Sequence, residues 1–254
     1  MSLWDFEGCE KMKVIYEPKG KAREYAELAV NIYRGCGHGC EYCYAPNVIK
    51  MNKLLFFNEP SLRPYITKQI NDDAYEMKKN NDNREVLMCF TCDPYQPEDV
   101  FHQATRKAIQ SFVHHGRHFS ILTKGGKRSE RDFDLLAEHP GLCRYGATLV
   151  FCNDEHSKKY EPFAAITSER IESLKKAHEL GIKTWVSLEP AWSYADVSDL
   201  IKRTADFVDE YKIGKLNYHA HAKEINWKEF KEEVVDLCEF LGVNYTLKND
   251  LAVL

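Results

Sequence analysis

Cys36, Cys40 and Cys43 stand close together in the segment Asn31-Ile-Tyr-Arg-Gly-Cys-Gly-His-Gly-Cys-Glu-Tyr-Cys-Tyr44. Their C-x3-C-x2-C spacing suits three irons of a [4Fe–4S] cube, because cluster irons are held by cysteine sulfur. Three thiolates leave the fourth iron without a protein ligand. An open metal position is what a catalytic centre keeps and a structural one avoids. His38 lies inside the same loop, so a Cys3His zinc site is the competing reading of the loop taken alone.

Such a loop needs a scaffold, and the chain around it alternates short apolar runs with amphipathic segments. The runs Leu28–Tyr33, Val86–Thr91, His118–Thr123, Tyr145–Phe151, Lys183–Leu188 and Phe207–Gly214 have the length and composition of buried parallel strands. Between them, helices are predicted over Phe101–His115, Ser129–Glu138, Ser168–Leu180, Tyr194–Thr204 and Trp227–Leu241. Gly116, Gly181 and Gly242 stop three of these, and Asn226 with Glu229 reads as a capping pair. On Ser168–Leu180 the face Ile171, Leu174, Ala177 and His178 is expected to pack inward. The stretch Pro46–Asn83 should hold one or two helices, one of them near Arg63–Lys79. Repeated β-α order means an α/β fold with a parallel sheet and right-handed connections. Six units are fewer than the eight of a closed barrel, so a partial (βα)6 TIM-like barrel is expected.

The 254 residues carry 44% hydrophobic and 29% charged side chains, which is ordinary for a globular protein. No apolar run is long enough to span a membrane, and Met1–Glu7 lacks a signal-peptide layout, so a cytoplasmic location is expected. Nine cysteines do not make a disulfide framework. Cys9, Cys89, Cys92, Cys143, Cys152 and Cys238 are expected to be buried or functional thiols. A net charge of −4 gives no global electrostatic case for nucleic acid, which leaves only a local basic patch at Lys124, Lys127, Arg128 and Arg131.

In parallel α/β sheets ligands bind beyond the carboxyl ends of the strands. That rule gathers Arg34 and the cysteine loop, Cys92 to Tyr95, Lys124 to Gly126, Cys152 to Asp154, Glu189-Pro190 and Lys215 to Asn217. Period-two alternation would set Cys89 on the face opposite Cys92, in the core.

These motifs resemble the radical S-adenosylmethionine (SAM) enzymes, specifically the group of spore photoproduct lyase and related DNA repair photolyases. The cysteine loop, with an aromatic residue before its last cysteine, is the superfamily signature. Thr91-Cys-Asp-Pro-Tyr-Gln-Pro97, Ile121-Leu-Thr-Lys-Gly-Gly126, Tyr160-Glu-Pro162, Trp185-Val-Ser-Leu-Glu-Pro190 and Lys212-Ile-Gly-Lys-Leu-Asn217 follow in order. The resemblance implies a single radical SAM domain over 1–254, with a barrel core at about 28–217 and a C-terminal helix and tail at 218–254. It implies that Cys36, Cys40 and Cys43 hold a [4Fe–4S] cluster whose fourth iron is chelated by SAM. One electron then cleaves the sulfonium, and the resulting 5′-deoxyadenosyl radical takes a substrate hydrogen. An electron donor such as a flavodoxin or ferredoxin is implied as partner.

By the same resemblance Tyr42 lies against adenine or is a packing aromatic. The backbone of Thr91, Cys92 and Asp93 meets the methionine amino group. Lys124 pairs with the methionine carboxylate or is a solvated lysine. Thr148 or Asn153 bonds ribose or carboxylate. Glu189 accepts from ribose or substrate, or makes a structural ion pair. Cys92 matches the cysteine that returns hydrogen to product in spore photoproduct lyase, or is a packing thiol. His219 and His221 touch substrate or are merely exposed. The expected substrate is a nucleobase or DNA photolesion. Another nucleic acid, a peptide or a small metabolite is the alternative, and a non-enzymatic metal-binding protein is the third reading.

Overall fold

The computed structural model describes residues 13–254; Cys9 and the N-terminal segment lie outside them. The strands are β1 (Leu28–Val30), β2 (Tyr33–Arg34), β3 (Ser61–Leu62), β4 (Val86–Met88), β5 (Phe119–Thr123), β6 (Cys143–Thr148), β7 (Lys183–Ala191), β8 (Glu210–Lys215) and β9 (Tyr245–Leu247). Seven of them form one parallel sheet in the order β1-β4-β5-β6-β7-β8-β9, and β2 pairs with β3 as a small antiparallel ribbon. With helices in the connections, the sheet is a curled half-barrel of the TIM-like kind.

The order explains the site. Each main strand pairs with the next one along the chain, so the carboxyl ends stay level. Val30 lies opposite Met88 and Met88 opposite Ile121, while Thr148 lies opposite Ser187 and Leu188 opposite Ile213. All the loops named above therefore emerge on one rim.

The concave side is closed low down by Trp185, Leu87, Ala29 and Tyr25. Gly146 sits beside Trp185 in register, and a Cβ there would come within 2.4 Å of the indole. The convex side packs the helices through residues such as Phe112, stacked on Phe119 at 5.4 Å. Burial of these large apolar groups, each worth roughly 1.5–3 kcal/mol, makes the sheet the stable part of the molecule.

The six expected strands are present with shifted ends: β1 and β4 stop short at Val30 and Met88, β6 begins earlier at Cys143, and β7 runs on to Ala191. The helices Tyr194–Thr204 and Trp227–Leu241 match their expected bounds. Asn226 caps the latter through the Glu229 N–H. Five expectations need correction. The helix expected at Ser129–Glu138 is α-helical only over Phe133–Glu138, and the residues before it, Gly126–Asp132, form a tighter 3-10 helix. The segment after residue 217 is more than a helix and tail, because β9 adds a seventh strand against β8. The helix expected at Phe101–His115 is interrupted at Gln103, which has a positive φ of 47°. The stretch 46–83 holds three helices, Ala45–Val48, Lys53–Asn58 and Ile66–Lys79. On the helix Thr167–Glu179, Arg170 and Ser173 are buried with Leu174 and Ala177, whereas His178 is exposed. A hydrophobicity pattern could not find a buried arginine.

Candidate active site

The rim encloses a cavity of about 170 Å³. Cys36, Cys40, Cys43, Tyr42, Thr91, Cys92, Asp93, Lys124, Thr148 and Glu189 all line it. Asn153 does not. It is exposed, and its side chain caps the helix Asp154–Tyr160 by accepting from the His156 N–H at 2.8 Å. Of the two alternatives after β6, only Thr148 faces the cavity, and Cys152 and Asp154 also stay outside it.

The cysteine loop is held by backbone clamps. The Cys36 N–H donates to the Phe56 carbonyl at 2.9 Å, and Gly35 turns there with φ +86°. A Cβ at Gly35 would lie 2.6 Å from that carbonyl, so glycine is required by both conformation and space. The fully buried Gln96 accepts from the Gly37 N–H at 2.7 Å and donates to the Gly35 carbonyl at 3.3 Å. Further along, the Glu41 N–H donates to the Tyr160 carbonyl and the Phe163 N–H to the His38 carbonyl.

His38 is not a candidate ligand in this arrangement. Arg128 donates to its Nε2 at 2.9 Å, and its Nδ1 faces Asp93 at 3.5 Å. Both ring nitrogens are engaged, which removes the Cys3His zinc reading. Burial lowers the His38 pKa to about 4, so the ring is neutral at neutral pH.

Asp93 is similarly committed to the scaffold. Its carboxylate accepts from the Tyr95 N–H, the Thr123 hydroxyl and the Lys124 N–H at 2.6–2.8 Å. Burial opposes its charge, but His38 and these donors outweigh that and hold the carboxyl below its usual range. Its side chain ties the β4 loop to the β5 loop. Only its backbone is left for a ligand.

Under Tyr42 lies a buried ion pair that the strand pattern did not announce. Arg170 Nη2 meets Glu161 at 2.6 Å, both fully buried. Arg170 also donates to the Ala165 carbonyl at 2.7 Å and the Thr148 carbonyl at 2.9 Å. The Tyr42 hydroxyl donates to the other Glu161 oxygen. Every polar group in this network has a partner, which is the condition for a buried pair to be tolerated. It pins the ring of Tyr42 at the cavity and couples the cysteine loop to the end of β6. The Tyr-Glu-Pro motif was its only sequence signal.

Lys124 differs from its neighbours. Among the described residues its ammonium has no hydrogen bond or ion pair; it stands 5.6 Å over the Tyr42 ring. Burial opposes its charge, yet Cys40 and Glu161 nearby outweigh that and raise its pKa. The cavity thus presents an unpaired cation near Cys40, with Lys215 a second ammonium on its wall. The basic patch suggested by the sequence is dispersed: Lys124 faces inward, Arg128 serves His38, Arg131 pairs with Asp99, and Lys127 meets Glu172 at 3.4 Å.

Glu189 makes the structural contacts that were its second reading. It accepts from the Tyr25 hydroxyl at 2.5 Å and pairs with Lys248 at 3.2 Å. Gly214 permits this, since a Cβ there would lie 2.8 Å from the Glu189 carboxyl carbon. His219 and His221 are half-buried against Trp192, with ring centroids at 5.0 and 4.9 Å, rather than free in a loop.

Residues 30–189 match the family model described as the Radical SAM superfamily. The chain belongs to the radical SAM superfamily. It is 26% identical over 240 residues to an uncharacterized protein of Methanocaldococcus jannaschii, covering 90% of this chain and 89% of that one. It is 27% identical over 250 residues to an uncharacterized protein of Acidianus two-tailed virus, covering 91% and 82%. Among solved structures, spore photoproduct lyase complexed with dinucleoside spore photoproduct superposes with a TM-score of 0.68 at 16% identity, covering 95% of this chain and 80% of that one. Streptococcus suis SuiB bound to S-adenosylmethionine gives 0.66 at 12%, covering 87% of this chain and only 50% of SuiB. These two likenesses concern the fold.

Radical SAM proteins use a [4Fe–4S] cluster and SAM, and these are the cofactors of this chain. The donor set fits them. Three cysteine thiols face one cavity with an unpaired ammonium, which complements the carboxylate of a bound amino acid. Burial raises all three thiol pKa values, that of Cys40 to about 12, so loading the cluster must displace protons.

Proposed function

We propose that the chain is one radical SAM domain that cleaves SAM reductively and abstracts hydrogen from a nucleobase, most simply within a DNA photolesion. The observation that carries the radical SAM site assignment is the unpaired Lys124 ammonium in the cavity lined by Cys36, Cys40 and Cys43. When bound, the cluster and SAM supply a carbon radical. The chain's own residues do the rest. Cys36, Cys40 and Cys43 hold three irons, and Lys124 receives the SAM carboxylate. The backbone of Thr91 to Asp93 offers hydrogen-bonding groups to the methionine amino end. Tyr42, fixed through its hydroxyl, presents its ring to adenine, and Thr148 offers a hydroxyl. Glu189 orients Tyr25 and Lys248 at the cavity wall. Cys92 lines the same cavity and supplies hydrogen to the product.

A nucleobase is supported by the aromatic rim. Tyr44 and the exposed Tyr218 lie 6.3 Å apart beside a second opening that also includes Lys19, Lys21, Phe90 and Lys248. Aromatic faces beside an exposed cation such as Lys19 are what single bases stack on, while Lys21 and Lys248 are already paired with Asp250 and Glu189. A flavodoxin- or ferredoxin-like reductant and a cytoplasmic setting complete the reading, and no described helix is long and apolar enough to cross a membrane.

The test is anaerobic reconstitution with cluster, SAM and reductant, followed by incubation with irradiated DNA containing spore photoproduct. The expected result is thymine restored in step with 5′-deoxyadenosine formed. Cofactor cleavage with untouched lesion would move the substrate to another nucleic acid, a peptide or a small metabolite. No cleavage under any condition would sink the enzyme reading.

A further inference from the structure

Cys89 was expected in the core, across the strand from Cys92. Cys89 is indeed part of the buried core, but it is not turned away from Cys92: both line the cavity. The reason is local: β4 ends at Met88, and residues 89–92 turn rather than continue extended. Asn31 holds that turn. Its Oδ1 accepts from the Phe90 N–H at 2.9 Å and the Thr91 N–H at 2.7 Å, and its amide donates to the Tyr16 hydroxyl at 2.8 Å. The Cys92 sulfur lies 4.0 Å from the same Oδ1. Period-two alternation therefore stops applying three residues before Cys92.

The two thiols sit differently. Cys89 is buried at 5% exposure, while Cys92 is half-buried and accessible from the cavity. Burial, and then the facing Cys92 thiol, push the Cys89 thiol well above its ordinary range. Two cysteines three residues apart across one turn have the spacing of thiol–disulfide exchange motifs.

We propose that Cys89 and Cys92 are a redox pair that closes reversibly into an intramolecular disulfide, and that the reduced pair is the form able to supply hydrogen in the cavity. The second half rests on the reading of Cys92 under the proposed function; the first half does not. A low-molecular-weight disulfide, RSSR, is the oxidant. The accessible Cys92 thiolate attacks one of its sulfurs, and RS⁻ leaves. The Cys89 thiolate then attacks the Cys92 sulfur of the mixed disulfide, and the second RS⁻ leaves. The two protons lost by the cysteines appear on two RSH, so the pair is oxidised by two electrons as RSSR is reduced. A dithiol reverses both steps. Closure protects Cys92, because a thiol held in a disulfide is kept off the irreversible rungs of sulfur oxidation.

The full-length, cluster-loaded protein is equilibrated anaerobically in a series of glutathione and dithiothreitol redox buffers, acid-quenched, alkylated and digested with trypsin. The peptide 85–106 contains Cys89 and Cys92 and no other cysteine. The expected result is two labels or none, with one midpoint shared by both residues. In Cys89→Ser, Cys92 should carry a glutathione adduct and never an internal bridge. Two labels in the wild-type chain at every buffer ratio, or a Cys92 bridge to any other cysteine, would overturn the pair. Protein oxidised in this way should still cleave SAM but give less normal product, with dithiothreitol restoring it. If the bridge forms but Cys92→Ala keeps its normal product, the hydrogen-donor reading falls, and with it the second half of the proposal. If no bridge forms and Cys92→Ala loses product, the donor reading stands and the pair is overturned.

Discussion

Lys124 concentrates the electrostatics beside the cysteines, because the carboxylates around it are already spent; the other ammonium on the cavity wall, Lys215, stands 5.3 Å over the Trp227 ring. Glu161 serves Arg170 and Tyr42, Asp93 serves three donors of the scaffold, and Glu189 serves Tyr25 and Lys248. Replacing the ammonium by an amide should therefore act on ligand binding and leave the fold alone. A charge-assisted hydrogen bond is worth about 1.5–3 kcal/mol, so Lys124→Gln should weaken SAM binding roughly ten- to hundred-fold with the cluster's visible absorbance retained. Equilibrium binding to the loaded protein checks it, and unchanged affinity would remove Lys124 from the site. Cys36→Ala, Cys40→Ala and Cys43→Ala should each abolish cluster absorbance while the circular dichroism of the fold persists. For Cys92→Ala, cofactor cleavage should continue while normal product falls. At this scale the sequence was informative wherever a residue type is rare and its spacing chemical. It failed at Asn153, whose side chain has an equally good structural partner in the His156 N–H.

The loops owe their shape to a few contacts between elements. Gln96 bridges the β4 loop and the cysteine loop by bonding both sides of Gly35-Cys36-Gly37. Gln96→Ala would strand a buried N–H, at a cost of roughly 1–3 kcal/mol, and should speed loss of the cluster under chelator far more than it lowers the melting temperature. Arg170→Met is a harsher change, since it leaves Glu161 charged and buried without its partner. Breaking such a pair costs about 3–5 kcal/mol, and the melting temperature should fall accordingly. A loss under 1 kcal/mol in denaturant titration would show that the network bears little on stability. The strands and most helices were legible because their apolar periodicity is local. The interruption at Gln103, the turn that follows Met88 and the burial of Arg170 were not, because each depends on what lies opposite in space.

The molecule as a whole separates a stable sheet from a rim that carries the chemistry. Cluster removal should therefore cost little global structure. Its pH dependence has a definite sign: the thiols are held protonated by burial, loading displaces those protons, and so apparent cluster affinity should rise with pH. Reconstitution yields measured at two pH values on either side of neutrality check this, and higher loading at the lower pH would contradict it. The sequence by itself determined the chemistry and the class of scaffold, since ligand type and strand–helix alternation are written in consecutive residues. Only the tertiary structure decided which strand-end residues share one cavity, that Lys124 is left unpaired there, and that Cys89 joins Cys92. The physical reason is that a charge is free, or two thiols adjacent, only relative to partners that folding brings from distant parts of the chain.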